Sequence, residues 1–428
     1  MKFNSLDLAP EIQQAIKACG YTDLTPVQEQ AITPACLGKD ILANAQTGTG
    51  KTAAFALPVL QQMMEKPKPT KAGSPRALIL TPTRELAEQL ANTIQSYAQF
   101  LPLSICAVYG GVKMGGQAKK LQSGIDIVIA TPGRLLEHMT LCHVNLSNVE
   151  FAVLDEADRM LDMGFIADVQ ELLKRTKKKR QTLLFSATIS PAVREFAQQV
   201  MKRHEVIRTT KLNATADTVE HVVYEVEERR KIELFHVLLE EQNWFQVLVF
   251  TSTKEQADKL VDSLKLAKIE AAVCHGDKSQ GSRRRALADF KSGKLQILVA
   301  TDVAARGLDI VGLDYVINYN LPYLPEDYVH RIGRTGRAGS SGHAISFVSR
   351  MEERTLDRIE RLIDSGIKRI YKPGFEVSDR SRLIKNISTK TRPGLGNKAG
   401  KTHISRDKLK TNKTKNSKTK PRRVKKRI

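Results

Sequence analysis

Aromatic residues make up only 5% of the 428-residue chain, with a single tryptophan among them. No apolar run approaches the roughly 18 residues of a membrane-spanning helix, so a helical integral membrane protein is excluded. The opening stretch, MKFNSLDLAP, lacks the charged lead and apolar core of a secretory signal. Cysteine is sparse: Cys19, Cys36, Cys106, Cys142 and Cys274 are odd in number, widely spread and contain no CxxC pair. That pattern argues against a disulfide framework or a zinc site and suits a reducing cytoplasm.

Acidic residues are the minority charge, 46 against 68 Lys and Arg, giving a formal +22. The excess is unevenly placed. Residues 374–428 hold 19 Lys or Arg against Glu376, Asp379 and Asp407, a net of +16 that leaves +6 for residues 1–373. Beyond about Pro373 the composition turns to Lys, Thr, Asn and Ser, which cannot bury enough surface to fold, so a disordered basic tail is expected. The remaining length suits two domains, each with its own core.

Residues 1–373 read as short β-rich runs alternating with helical patterns, the signature of an α/β chain with parallel sheets wrapped by helices. The first set of runs is Ile41–Ala43, Ala77–Leu80, Ile127–Ala130, Val153–Leu154 and Thr182–Phe185. A second set is Val247–Phe250, Ala271–Val273, Ile297–Ala300, Val316–Ile317 and Ala344–Val348. The sets look like copies: LILTPTRELAEQL at 78–90 aligns with LVFTSTKEQADKL at 248–260, an offset of 170. At that offset IVIAT (127–131) also aligns with ILVAT (297–301). This predicts domains at 1–208 and 218–373, a polar linker at 209–217 and the tail at 374–428. Lys66–Pro75 reads as a surface loop by its Pro and Gly content.

One segment carries phosphate chemistry. AQTGTGKT, residues 45–52, follows a predicted strand and precedes an apolar helix running from Thr52 to about Met64. Glycines let backbone N–H groups close on phosphates at the positive end of a helix. Ala45, Gln46, Thr47, Gly48, Thr49, Gly50, Lys51 and Thr52 are therefore candidate nucleotide ligands, with Lys51 on the phosphates and Thr52 on Mg²⁺. The general pattern starts with Gly, whereas this loop starts with Ala45. The apolar run Phe151–Leu154 ends in Asp155 and Glu156, a carboxylate for Mg²⁺ and one to orient the attacking water. The second copy has no such loop, since Lys51 maps onto His221 at the same offset, so one ATP per chain is expected. Instead it contains HRIGRTGR (330–337), where Arg334 and Arg337 suit an arginine finger; a basic loop that binds only phosphate backbone is the plainer reading.

Together these motifs resemble the DEAD-box RNA helicases of superfamily 2. The four letters stand at Asp155, Glu156, Ala157 and Asp158. Around them, in the family's order, are GYTDLTPVQ (20–28), AQTGTGKT, PTREL (82–86), GG (110–111), TPGR (131–134), SAT (186–188), VFTST (249–253), HGDKSQGSR (275–283), ATDVAARGLD (300–309) and HRIGRTGR. The family's own phosphate loop begins with Ala, and the HGDKSQ…RALADFKSG stretch is most similar to the bacterial RhlE type. The resemblance implies two tandem RecA-like domains and an ATP- and Mg²⁺-dependent, RNA-stimulated motor.

Residue by residue, the resemblance implies that Gln28 reads adenine, a pairing an amide can make bidentately. Phe3, 17 residues before Gly20, would stack on the base, and Gly307 and Asp309 would approach the ribose. Arg84, Gly111, Thr131, Gly133 and Arg134, with Gln280, Arg283 and Thr301 from the second copy, would hold RNA backbone. Ser186 and Thr188 would couple the two sites through Asp158 and His330; the plainer alternative is that they cap the helix beginning near Pro191. Few aromatics means no obvious base-stacking platform, so sequence-independent gripping is expected. ATP-driven closure of the two domains would bend one RNA strand and open short duplexes. A DNA-directed translocase and a non-catalytic RNA clamp or scaffold are the other readings. The tail is read as a tether for ribosomal or other structured RNA, against a purely solubilising role.

Overall fold

Strand segments that are apolar at consecutive positions must be covered on both faces. The computed structural model describes residues 1–45, 48–209, 219–305, 308, 310, 312–336 and 342–377, and it builds two such sheets. The first holds β1 (Asp40–Asn44), β2 (Ala77–Leu80), β3 (Ile105–Val108), β4 (Ile127–Ala130), β5 (Phe151–Leu154), β6 (Gln181–Ser186) and β7 (His204–Arg208). The second holds β8 (Val219–Glu225), β9 (Val247–Thr251), β10 (Ala271–Cys274), β11 (Ile297–Thr301), β12 (Tyr315–Asn318), β13 (Gly342–Val348) and β14 (Lys368–Ile370). Their neighbour pairings are parallel, and all ten predicted runs lie within strands.

Alternation along the strands sorts side chains between two cores. Ile41, Ala43, Ile79, Ile127, Ile129 and Val153 enter one, whereas Leu42, Leu78, Leu80, Val128, Ala152 and Leu184 enter the other. The helix Lys51–Glu65 lies in the first core and is buried on nearly every side, which explains its run of Ala, Phe, Leu and Val. The second sheet repeats the device, with Val247 and Val249 on one face and Leu248 and Phe250 on the other.

The duplication is written into the topology. Strand order is β3-β4-β2-β5-β6-β1-β7 in the first sheet and β10-β11-β9-β12-β13-β8-β14 in the second, the same order shifted by seven. Register agrees: Ala77 pairs with Ile127 and Val247 with Ile297, both members displaced by 170. Thr83 and Thr253, also 170 apart, each cap the helix that follows.

One expectation is corrected here. Lys51 does not map onto His221, because His221 lies within β8, the counterpart of β1. The first copy is longer by ten residues between the start of the following helix and the next strand (Lys51 to Ala77 against Lys231 to Val247), so the topological equivalent of Lys51 is Lys231, the first residue of the helix after β8. Lys231 is fully buried and paired with Glu228 at 2.8 Å and Glu352 at 2.6 Å. Its charge is consumed internally, so among the described residues the position equivalent to Lys51 offers no free cation to a phosphate. The tail beyond Val377 and most of the predicted linker, residues 210–217, lie outside the described residues.

Candidate nucleotide site and nucleic-acid interface

In a parallel sheet the loops after the strands share one edge, and that edge builds the site. Strand order divides it. β5, β6 and β1 are consecutive neighbours, so Asp155–Asp158, Ser186–Thr188 and the phosphate loop lie side by side. β2, β4 and β3 form the other half and bring together PTREL, TPGR and the Gly110–Gly111 turn. The second lobe repeats the partition, with VFTST, the 275–283 segment and the end of β11 on one half.

Ala45 is fully buried, and its N–H donates to Ser186 O at 2.9 Å; Asn44 Nδ2 donates to Ala187 O at 2.9 Å. The phosphate loop is thus fastened to the SAT segment before any ligand arrives. Gly48 and Gly50 have φ of 80° and 86°, and a Cβ at Gly50 would fall 2.2 Å from Gln28 Nε2. Only glycine fits there. Gln28 accepts from Thr25 N at 2.9 Å through Oε1 and donates from Nε2 to Gly50 O at 3.0 Å. Its amide joins the adenine-reading motif to the phosphate loop, leaving one N–H and one lone pair for a base. Phe3 is 3% exposed and stacks on Tyr21 at 5.9 Å, so its ring is not open to a base in this conformation. Gln46 and Thr47 lie outside the described residues; Thr49 and Thr52 flank the loop's end.

Lys51 begins the helix Lys51–Glu65, buried, with Nζ 3.5 Å from Asp155 Oδ1 and no hydrogen-bond acceptor. Burial alone would lower its pKa, but Asp155, Glu156 and Asp158 hold the ammonium above its ordinary value. The Glu156 carboxyl is pushed up by burial, with Asp155 and Asp158 adding to this and Lys51 and Arg159 opposing it. Glu156 also sits at φ 56°, a left-handed conformation that costs a non-glycine residue about 1–3 kcal/mol. A buried ammonium whose one ion-pair partner is Asp155 at 3.5 Å, glycines at positive φ before a helix N-terminus and a carboxyl on strained backbone fit nucleotide phosphates. Asp155 and the Thr52 hydroxyl are too few donors for an all-protein cage and suit a Mg²⁺ that arrives on phosphates. Among the described residues no group of three His, Cys, Asp or Glu is placed to hold a metal alone.

Asp158 Oδ2 accepts from Thr188 N at 2.9 Å and Thr188 Oγ1 at 3.0 Å, while Asp158 N donates to Ser186 Oγ at 3.3 Å. The capping alternative fails, because Ser190 caps the helix Pro191–Val200. His330 lies on the helix Pro325–Ile332 of the second lobe and lines a cleft of about 410 Å³ with Asp158, Arg159 and Thr188. Sequence reading missed Arg159, the residue after the four-letter motif. Buried, it bonds Asp162 at 3.1 Å and crosses to Asp327 of the second lobe. A charged residue one step beyond a motif gives no signal in a single sequence.

On the other half, Arg84 lies against the glycine turn: a Cβ at Gly111, φ 79°, would meet Arg84 Nη1 at 2.0 Å. Arg134 braces the same turn, donating to Tyr109 O at 3.2 Å and Val112 O at 2.6 Å, and pairs with Glu137. Thr131 stands at the N-cap position of the helix Pro132–Thr140 without a side-chain capping bond, and Gly133 lies in the helix's first turn. Gln280 and Arg283 reach across to Glu85 of the first lobe, at 3.1 Å and 2.8 Å, rather than standing free for RNA. Thr301 closes β11 in register with Thr251. Of the three arginines in HRIGRTGR, Arg331 is a strut, bonded to Asp302, Asn318 and Asn320 and lying over Phe250. Arg334 lines the crevice beside Arg159 and Asp327 and donates to Leu308 O at 2.6 Å. Arg337, Gly307 and Asp309 lie outside the described residues.

The fold and this site define a two-lobed phosphate-loop NTPase whose second RecA-like lobe carries no phosphate-loop motif in its sequence. The DEAD/DEAH box helicase profile matches residues 25–196, and the helicase conserved C-terminal domain matches residues 230–339. The ATP-dependent RNA helicase RhlB of Pseudomonas syringae pv. tomato is 42% identical over 364 residues, covering 84% of this chain and 92% of its own. The DEAD-box ATP-dependent RNA helicase CshA of Bacillus subtilis is 39% identical over 374 residues, 87% of this chain and 75% of its own. The chain belongs to the DEAD-box family of ATP-dependent RNA helicases. Among solved structures, S. cerevisiae Dbp5 bound to RNA and ADP BeF3 superposes with a TM-score of 0.77 at 31% identity, over 91% of this chain and 99% of that one. A Dbp5 structure with nup159, gle1, ip6 and adp reaches only 0.57.

Proposed function

We propose that this chain unwinds short RNA duplexes by closing its two lobes on ATP and RNA, residues 1–208 and 218–373 acting as the moving bodies across a 209–217 linker. The observation that carries this is the continuous bridge from the phosphate loop through Ser186, Thr188 and Asp158 to Arg159 and Asp327. A change at the phosphates therefore has a hydrogen-bonded route to the interlobe contact. The higher similarity to the RNA-bound Dbp5 supports reading the described arrangement as the closed state.

In this scheme Lys51 binds the β- and γ-phosphates, and Gln28 with Gly307 and Asp309 surrounds the nucleoside; Phe3 joins them only if its ring leaves Tyr21. Asp155 and Thr52 would hold a phosphate-borne Mg²⁺, which would supply charge neutralisation at the phosphates. Glu156 orients the attacking water, and Arg334 and Arg337 approach the γ-phosphate from the second lobe. Arg84, Gly111, Thr131, Gly133, Arg134, Gln280, Arg283 and Thr301 line the RNA half; Arg134, Gln280 and Arg283 act chiefly by shaping and joining its walls. His330 completes the coupling cluster. The basic tail tethers structured RNA near the cleft. Five free cysteines support a cytoplasmic location, and the 275–293 stretch supports the RhlE type.

Steady-state ATPase without nucleic acid, with single-stranded RNA and with DNA of the same sequence is the deciding test. Stimulation by RNA alone is expected. Equal stimulation by DNA would favour a translocase, and no turnover by folded, ATP-binding protein would favour a clamp. Lys51→Ala should abolish ATP-dependent lobe closure, read by fluorescence transfer between labelled lobes.

A further inference from the structure

At the opposite edge of the first sheet, the amino ends of β1, β6 and β7 frame an open groove of about 1030 Å³. Seven Lys or Arg line it against two acids. Both acids are already engaged: Glu205 pairs with Lys39 at 2.6 Å, and Asp40 accepts from Thr182 N at 2.7 Å. Lys174, Lys178, Lys179, Lys202 and Arg203 are exposed and have no ion pair or side-chain hydrogen bond among the described residues. At its wall, Arg180 Nε and His204 Nδ1 are buried without hydrogen-bond partners. Elsewhere on this lobe Lys68, Arg76 and Lys177 gather on one carboxylate, Glu150, so pairing was available to cations where it served stability.

We propose that this groove is a second RNA contact, gripping the phosphate backbone of a segment that flanks the one held between the lobes. Unpaired, exposed lysines are flexible point charges that neutralise phosphates without reading bases. The lining has no Phe, Tyr or Trp, its apolar members Leu173 and Met201 are each 3% exposed and Val200 is half-buried, so an incoming protein finds no large apolar anchor. The strands separate groove from nucleotide loop by about 15 Å of sheet at roughly 3.3 Å per residue. RNA must pass around the lobe to touch both, and a short oligonucleotide reaches only the cleft. The identity of the polyanion rests on the RNA-helicase reading.

The test compares full-length wild type with Lys178→Glu/Lys179→Glu/Arg203→Glu on RNAs of about 10 and about 40 nucleotides, by anisotropy across a salt series. Wild type should bind the long RNA more tightly than the short one. The variant should lose on the order of tenfold in long-RNA affinity at low salt, with a log–log salt slope shallower by about 2, from ~0.7 per lost contact. Its short-RNA affinity and short-RNA-stimulated ATPase should be unchanged. The matching Gln variants should show a smaller loss in the same direction. An unchanged long-RNA slope, as a groove for an acidic protein would give, overturns the proposal, and so does an equal loss on both RNAs. Absence of ATPase stimulation in wild type would instead strike the helicase reading.

Discussion

Glu156 shows how one residue is set against its own comfort for chemistry. Its backbone is left-handed, its carboxyl is buried, and burial together with Asp155 and Asp158 raises its pKa. A carboxyl raised on folding favours the protonated form, so its contribution to stability is full below the unfolded pKa and fades as pH rises through the folded one. Glu156→Gln should therefore raise the thermal midpoint at neutral pH, with the gap closing as pH falls through the raised folded pKa and gone below the ordinary value of 4.5. It should also block ATP hydrolysis while an RNA-bound closed state persists. In wild type, the acid limb of kcat should lie above the ordinary Glu value of 4.5. Glu150 runs the other way. Burial opposes its charge, but hydrogen bonds from Lys177, Lys68 and Arg76 lower it to about 2. Glu150→Gln should thus be less stable at neutral pH, the deficit shrinking as pH falls from 4.5 towards 2; denaturant titrations at several pH values check both.

Among the elements, the segment between β6 and the helix Pro191–Val200 carries two jobs on residues two apart. Ser190 caps the helix, accepting from Val193 N at 3.3 Å, and Thr188 binds Asp158. Ser190→Ala should cost about 1 kcal/mol of stability and leave unwinding per ATP intact. Thr188→Ala should spare stability more and lower unwinding per ATP hydrolysed, measured by paired strand-displacement and phosphate-release assays. Equal coupling in both variants would remove the bridge from the mechanism. The sequence named both possibilities for this segment; the choice needed the neighbour relation of β5 and β6, which no local pattern contains.

Across the whole molecule, the lobes meet through charge. Arg159 reaches Asp327, and Glu85 takes both Gln280 and Arg283. Leaving one member of a buried pair alone costs about 3–5 kcal/mol. Asp327→Ala should therefore shift the lobes towards the open arrangement, read as lower interlobe fluorescence transfer with ATP and RNA at concentrations that saturate wild type. Removing residues 374–428 should weaken RNA binding and flatten its salt dependence, while ATPase at saturating RNA stays the same.

Short continuous apolar runs alternating with helical patterns were enough to mark ten strands, and the 170-residue repeat marked the duplication, because both depend on short-range burial patterns. Ile105–Val108, His204–Arg208, Val219–Glu225 and Lys368–Ile370 were not legible as strands: each is short, half-exposed or interrupted by charge. The phosphate loop and the acidic motif were legible because their chemistry fixes residue types at adjacent positions. Tertiary structure alone decided that Gln28 is bonded to Gly50, that Arg331 is a strut, that Arg134 braces a turn and that Gln280 and Arg283 face Glu85. It also paired Arg159 with Asp327, 168 residues away. A motif specifies which groups are present; only the packing of distant strands and lobes specifies which partner each of those groups meets.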